Sequence, residues 1–105
     1  MLKLGLFVRL EAKPGKEKEV AAFLEQGLQL ANQEPTTLEW FALRLGPSEF
    51  AIFDAFSDES GRQTHLNGPI AKALFANAPN LLAAPPTIEK HEVLGAKLPQ
   101  EVAVS

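Results

Sequence analysis

The segment LEWFALRLGPSEFAIFDAFS, residues 38–57, decides the fold. Two runs rich in aromatic and aliphatic residues, Leu38 to Leu45 and Phe50 to Ser57, flank Gly46-Pro47-Ser48-Glu49, and a turn of this composition and length predicts an antiparallel hairpin. Pairing Leu45 with Phe50 sets Phe41 opposite Asp54 and Trp40 opposite Ala55. One face then carries Glu39, Phe41, Leu43, Ile52, Asp54 and Phe56. The other carries Leu38, Trp40, Ala42, Arg44, Ala51, Phe53 and Ala55. Both faces are largely apolar, so each needs a cover, because a hairpin wet on one side alternates more cleanly.

Working outward, Leu2, Leu4, Leu6, Val8 and Leu10 alternate with Lys3, Gly5, Phe7 and Arg9, which predicts a strand buried on one face up to the turn at Lys13-Pro14-Gly15. Val20, Phe23, Leu24, Gly27, Leu28 and Ala31 recur at helical spacing, so residues 16–32 read as an amphipathic helix stopped by Pro35. Gly27 sits on its inner stripe. Glycine there costs about 1 kcal/mol against alanine, and close approach to a strand is one compensation.

Beyond the hairpin, Ser57 reads as a cap followed by Asp58 and Glu59, opening a short helix to Leu66 that ends at Asn67-Gly68. Pro69 begins another helix through Ile70, Leu74, Ala78 and Leu81, which Pro79 breaks or kinks. Pro85-Pro86 closes the helical region. A last strand is expected over Ile88 to Leu98, with a tail over 99–105.

The order β-α-β-β-α-β, its second helix split in two, predicts a ferredoxin-like α+β domain: a four-stranded antiparallel sheet with helices on one face. A chain of 105 residues fits one such domain, 1–105. Its bare apolar face is most simply buried on the same face of a second copy, giving a homodimer.

Composition narrows the function classes. No cysteine is present, which removes disulfides, thiolate nucleophiles and sulfur-ligated metals, and two histidines give no closed transition-metal site within one chain. Net charge is -3, and the basic residues are scattered apart from Lys13, Lys16 and Lys18, which argues against a nucleic-acid partner. No apolar run is long enough for a membrane span and no leader pattern opens the chain, so a cytoplasmic protein with no membrane partner is expected. No glycine-rich phosphate loop or serine elbow occurs, and no cofactor is expected.

The segments Leu10-Glu11-Ala12-Lys13-Pro14-Gly15-Lys16, Glu34-Pro35, Phe53-Asp54-Ala55-Phe56-Ser57-Asp58-Glu59, His65-Leu66 and Ala83-Ala84-Pro85-Pro86, in that order and spacing, resemble the antibiotic biosynthesis monooxygenase domain family over nearly the whole chain. The resemblance implies a dimeric α/β barrel with a pocket between sheet and helices. It also implies an activity among cofactor-independent oxygenases of quinols and polyketide aromatics, haem degraders and isomerases. Phe56 stands where many members carry tryptophan, Ile52 near the asparagine of the polyketide oxygenases, and Arg62 where an apolar residue is usual. The chain lacks a histidine between His65 and His91, where the haem degraders place their iron ligand.

His65 and Asp54 are the expected catalytic residues: the histidine matches one common in the family and exchanges protons near neutral pH, and the aspartate is costly to bury without a partner. Phe41, Ile52, Phe56 and Phe75 are the expected substrate-binding residues, and Trp40 and Arg44 are placed on the opposite face as dimer contacts. The expected activity is a cofactor-independent monooxygenase acting on a small aromatic, quinol or polyketide-like molecule, with His65 taking the proton and Asp54 orienting it. The alternatives are an isomerase of a small carbonyl compound and a non-catalytic protein that binds a small ligand.

Overall fold

The structure, a computed structural model, describes residues 1–99. Its elements are β1 (Leu4–Glu11), α1 (Glu17–Ala31), β2 (Glu39–Arg44), β3 (Glu49–Phe56), α2 (Glu59–Leu66), α3 (Pro69–Leu81) and β4 (Thr87–Glu92). The four strands form one antiparallel sheet in the order β2-β3-β1-β4. This is the ferredoxin-like α+β fold.

Period-two burial in β1 sets the core. Leu6, Val8 and Leu10 point under the helices and are buried, and Val8 and Leu10 share a cluster with Val20 and Leu24 of α1, Leu74 of α3, and Phe50 and Ile52 of β3. Fully burying a side chain of this kind is worth about 1.5–3 kcal/mol. Gly27 lies where α1 crosses β2. A β-carbon there would stand 3.3 Å from Cζ2 and Cη2 of the Trp40 indole, so the ring occupies the room that a side chain would take.

Several local expectations are corrected. The β2–β3 ladder pairs Arg44 with Phe50, Phe41 with Phe53 and Trp40 with Asp54, one residue from the expected register. Leu45 falls outside the ladder, and its N–H and that of Gly46 both donate to the Glu49 carbonyl, at 2.8 and 3.2 Å, so the turn holds one residue more than expected. The slip exchanges the β2 faces. Trp40, Ala42 and Arg44 belong with Ile52, Asp54 and Phe56 on the helix side, and Glu39, Phe41 and Leu43 lie on the open side.

At the head of α2 the cap is Asp58 rather than Ser57. Asp58 is extended, and its Oδ1 accepts from the Gly61 N–H at 2.8 Å. Pro79 does not break α3, because it sits in the last turn, where little helix remains to be disturbed. The Pro79 carbonyl accepts a hydrogen bond from Lys13 Nζ at 2.6 Å. β4 is shorter than expected, since its only neighbour, β1, begins at Leu4, paired with Glu92. Of the expected tail, residues 100–105 lie outside the described residues.

The open face carries Phe7, Phe53, Phe41 and Leu43, and the latter two are 49% and 40% exposed. Toward β4 it turns polar: Arg9 lies over the Phe7 ring and 3.9 Å from Glu89, which is 2.9 Å from His91. Among the described residues no helix is long and apolar enough to cross a membrane.

Candidate functional site

Asp54 is in β3, with Leu6 of β1 on one side and Trp40 of β2 on the other, all under the helices. It is buried. A carboxylate in the middle of a sheet core has to be compensated, and the compensation comes from α2. His65, in the last turn of that helix and only 6% exposed, brings Nε2 to 2.9 Å from Asp54 Oδ2. The approach is an oblique ion-pair contact rather than a straight hydrogen bond, and Asp54 Oδ1 has no partner among the described residues. Beneath the imidazole, the buried Phe56 ring is tilted at 42°, with centroids 5.4 Å apart.

The other imidazole nitrogen is held by a residue that the sequence reading left outside the site. Glu34, in the loop after α1, places Oε1 2.7 Å from His65 Nδ1. Thr37 Oγ1 donates to the same Glu34 oxygen at 2.7 Å and lies 3.4 Å from Nδ1, closing a small network within the loop. Gly68 makes room for it, since a β-carbon there would stand 3.3 Å from Glu34 Oε2 and as close to backbone oxygens of α2. The Glu34-Pro35 pair was visible in the sequence, but a loop residue has no periodicity to show which way it points.

His65 thus lies between two carboxylates, one at each ring nitrogen. Placed on opposite sides of the ring, they do not converge on a common point as ligands of one ion would, and no three or more His, Asp or Glu groups are arranged to hold a metal among the described residues. Burial alone pushes the His65 imidazole down from 6.5, but the close contacts and negative charges of Asp54 and Glu34 outweigh it and the net direction is up. For Asp54, burial raises the carboxyl above its ordinary 3.8 against the opposing pull of His65, helped by the charge of Glu34.

These directions give a pH dependence. His65 binds its proton more tightly folded than unfolded, so its contribution to stability is complete below about pH 6.5 and is lost as pH rises through the raised folded value. Asp54, also raised, acts in the same sense: its contribution is complete below 3.8 and lost as pH rises through its folded value. The midpoint of thermal unfolding is therefore expected to fall as pH is taken from 6.5 toward 9, and His65→Gln should flatten that decline. A wild-type midpoint that rises over this interval would contradict the charge arrangement.

Arg62, on the same helix, is buried. Its NH1 donates to the carbonyls of Gly5 (3.3 Å) and His91 (3.4 Å), a residue pair facing each other across β1 and β4, and its NH2 bonds Glu59. Arg62 fastens α2 to the sheet one turn from His65.

Beside the ion network is a cavity of about 170 Å³ between α1, α3 and the sheet. Phe23, Leu30, Trp40, Ile52 and Ile70 are among its walls, and Gln26 is its one polar side chain apart from the indole N–H. Trp40 and Ile52 are the neighbours of Asp54 on the same sheet face, across the ladder and along the strand. Of the expected substrate-binding residues, Ile52 lines this cavity and Phe56 packs on the imidazole. Phe41 faces the open side of the sheet, and Phe75 is half exposed on the outside of α3, near Leu66 and Lys72. Trp40, expected opposite, is at the site.

The chain is 65% identical to a protein of unknown function from Nitrosomonas europaea, over 94% of this chain and 96% of that one, with a TM-score of 0.92. It is also similar to two structures that carry the provisional name antibiotic biosynthesis monooxygenase. One is from Chloroflexus aurantiacus, at 21% identity over 90% and 96% of the two chains with a TM-score of 0.71. The other is from Caulobacter crescentus, at 18% over 90% and 92% with a TM-score of 0.75. At such identities the likeness is one of fold. No protein-family model matches the chain, and no curated protein matches it.

Proposed function

Because the chain belongs to one family with the Nitrosomonas europaea protein of unknown function, and has the fold of the antibiotic biosynthesis monooxygenases, we propose that it is a cofactor-independent monooxygenase of a small dihydroxylated aromatic. The observation that carries this reading is the buried, unpartnered Oδ1 of Asp54 beside an imidazole engaged at both nitrogens. With both ring nitrogens occupied, His65 has no free site for a substrate proton. The expected roles are therefore exchanged: Asp54 is the base, and His65, braced by Glu34, offsets its charge.

In this mechanism Asp54 Oδ1 takes a hydroxyl proton, leaving a phenolate that is more easily oxidised than the phenol. The substrate gives four electrons to dioxygen: two as the diol becomes a quinone and two as a ring carbon takes up one oxygen atom. The second oxygen atom leaves as water with two hydrogens of the substrate, so a dihydroxyarene and O₂ yield a hydroxyquinone and H₂O. The protein contributes position and electrostatics.

The test is an oxygen electrode run with a panel of one- and two-ring hydroquinones, followed by mass analysis of the product after turnover under ¹⁸O₂. Uptake with one labelled atom in the product supports the reading. Turnover of a carbonyl substrate in the absence of oxygen would replace it with the isomerase alternative, and binding without turnover would leave a ligand carrier.

The reading includes a homodimer joined through the open sheet face. Its support is the open-face cluster of Phe41 and Leu43, both exposed, with the partly buried Phe7 and Phe53 beside them. Phe41→Glu, at a position half exposed within one chain, is expected to convert a dimer to a monomer in sedimentation velocity while leaving the circular dichroism spectrum unchanged. A wild-type chain that sediments as a monomer at high concentration would refute the dimer.

A further inference from the structure

The loop after α1 meets α2 at three points. Thr36 stands over Gly61, where a β-carbon would come within 3.3 Å of its Cβ and carbonyl oxygen, and Glu34 stands over Gly68, just past the helix end. Between them, Glu34 Oε1 is 2.7 Å from His65 Nδ1. Residues spaced four and three apart share one helical face, so the two glycines leave a seat for the loop on either side of the imidazole. The loop's main chain takes no part in this docking. Among the described residues, the N–H groups of Gln33, Glu34 and Thr37 bond to Leu30, Ala31 and Glu34, all close in sequence. The polar fastening is the Glu34–His65 contact, backed by the Thr37 hydroxyl.

That fastening depends on one proton. An imidazole with a carboxylate at each nitrogen donates to both only when both nitrogens are protonated; once one proton leaves, a lone pair faces one of the acids. Asp54 is fixed in the ladder between Leu6 and Trp40, and its side chain is 1% exposed, so it cannot withdraw. Glu34 is on a loop and its side chain is 15% exposed, so water can take up its charge. The elements packed on α2 bring no other charge to the ring. β1 presents Leu6 and β3 presents Asp54 and Phe56, while α3 begins with Pro69 and Ile70 and its Lys72 is exposed. On α2 itself, Arg62 is held by the Gly5 and His91 carbonyls and by Glu59, which Lys90 of β4 also attracts.

We infer that residues 33–37 form a lid, seated on Gly61 and Gly68 and latched by Glu34 to the imidazole, and that the lid lifts when His65 gives up a proton. Lifted, it frees the imidazole nitrogen that Glu34 now occupies. The device goes beyond the oxygen chemistry proposed above and does not rest on it.

The test is ¹³C relaxation of methyl groups in the full chain, below and above the pH at which the His65 Cε1–H resonance titrates. The Thr36 and Thr37 methyls are expected to lose about half of their order parameter or more above that pH, while those of Ile52, in the core, keep theirs. In Glu34→Gln both threonines should stay ordered throughout, because a neutral amide is not repelled by the lone pair and can donate to it. The inference is overturned by threonine order that is the same on both sides of the titration, by loose threonines in Glu34→Gln at either pH, by equal loosening of Ile52, or by a His65 resonance that does not titrate below about pH 10.

Discussion

Asp54→Asn is expected to lower kcat for oxygen uptake by about 10²- to 10⁴-fold, the range for loss of a positioned general base. Asparagine keeps the shape of the side chain and its place between Leu6 and Trp40, but it offers no group that takes a proton at neutral pH. KM should change little, since the apolar residues around position 54 remain. The fold should survive, because a neutral amide in this interior carries less desolvation cost than the carboxylate, whose burial already raises its proton affinity. Initial rates in an oxygen electrode, beside a urea melt of the same sample, separate loss of chemistry from loss of structure. A variant that turns over within a factor of about three of wild type would remove Asp54 from the mechanism.

His65→Leu is expected to cost about 3–5 kcal/mol of unfolding free energy, the range for removing one partner from a buried ion pair. The imidazole is the group between the Asp54 and Glu34 carboxylates, and the side-chain exposures are 7% for the histidine, 1% for the aspartate and 15% for the glutamate. Without it, two like charges face each other across a leucine. The double variant His65→Leu/Asp54→Leu should recover part of the loss, because hydrophobic groups of similar volume commonly replace buried charges at little cost. Urea denaturation of the two variants checks both statements, and a single variant within about 1 kcal/mol of wild type would mean that the network contributes little to stability.

Much of the architecture was legible before any coordinates. Alternation in β1, helical spacing in α1 and the two apolar runs around Gly46-Pro47 were enough for the element order, and the sheet follows from that order. The hairpin register was not legible, for a physical reason: each face of β2 is largely apolar with one charged end residue, Glu39 or Arg44, so sliding the strand by a residue merely trades one charge for the other, and the turn geometry at Leu45 and Gly46 chooses between them. That slip displaced Trp40 and Phe41 together. The pairing of Asp54 with His65 was proposed from the cost of a lone buried acid, and the two meet at 2.9 Å. Glu34 escaped because its position depends on how the loop after α1 packs under Gly68, a tertiary contact with no local signature.

The guanidinium of Arg62 has a consequence for motion. It holds the carbonyls of Gly5 and His91, which face each other across two strands, so peeling the edge strand off the sheet takes away one of the two carbonyls that hold Arg62 of α2. Edge strand and helix should then open as one cooperative unit, their slowest amide hydrogens exchanging at a common free energy. An edge strand is ordinarily the first part of a sheet to fray. In this protein its fraying should also loosen the helix that holds the imidazole between its two acids.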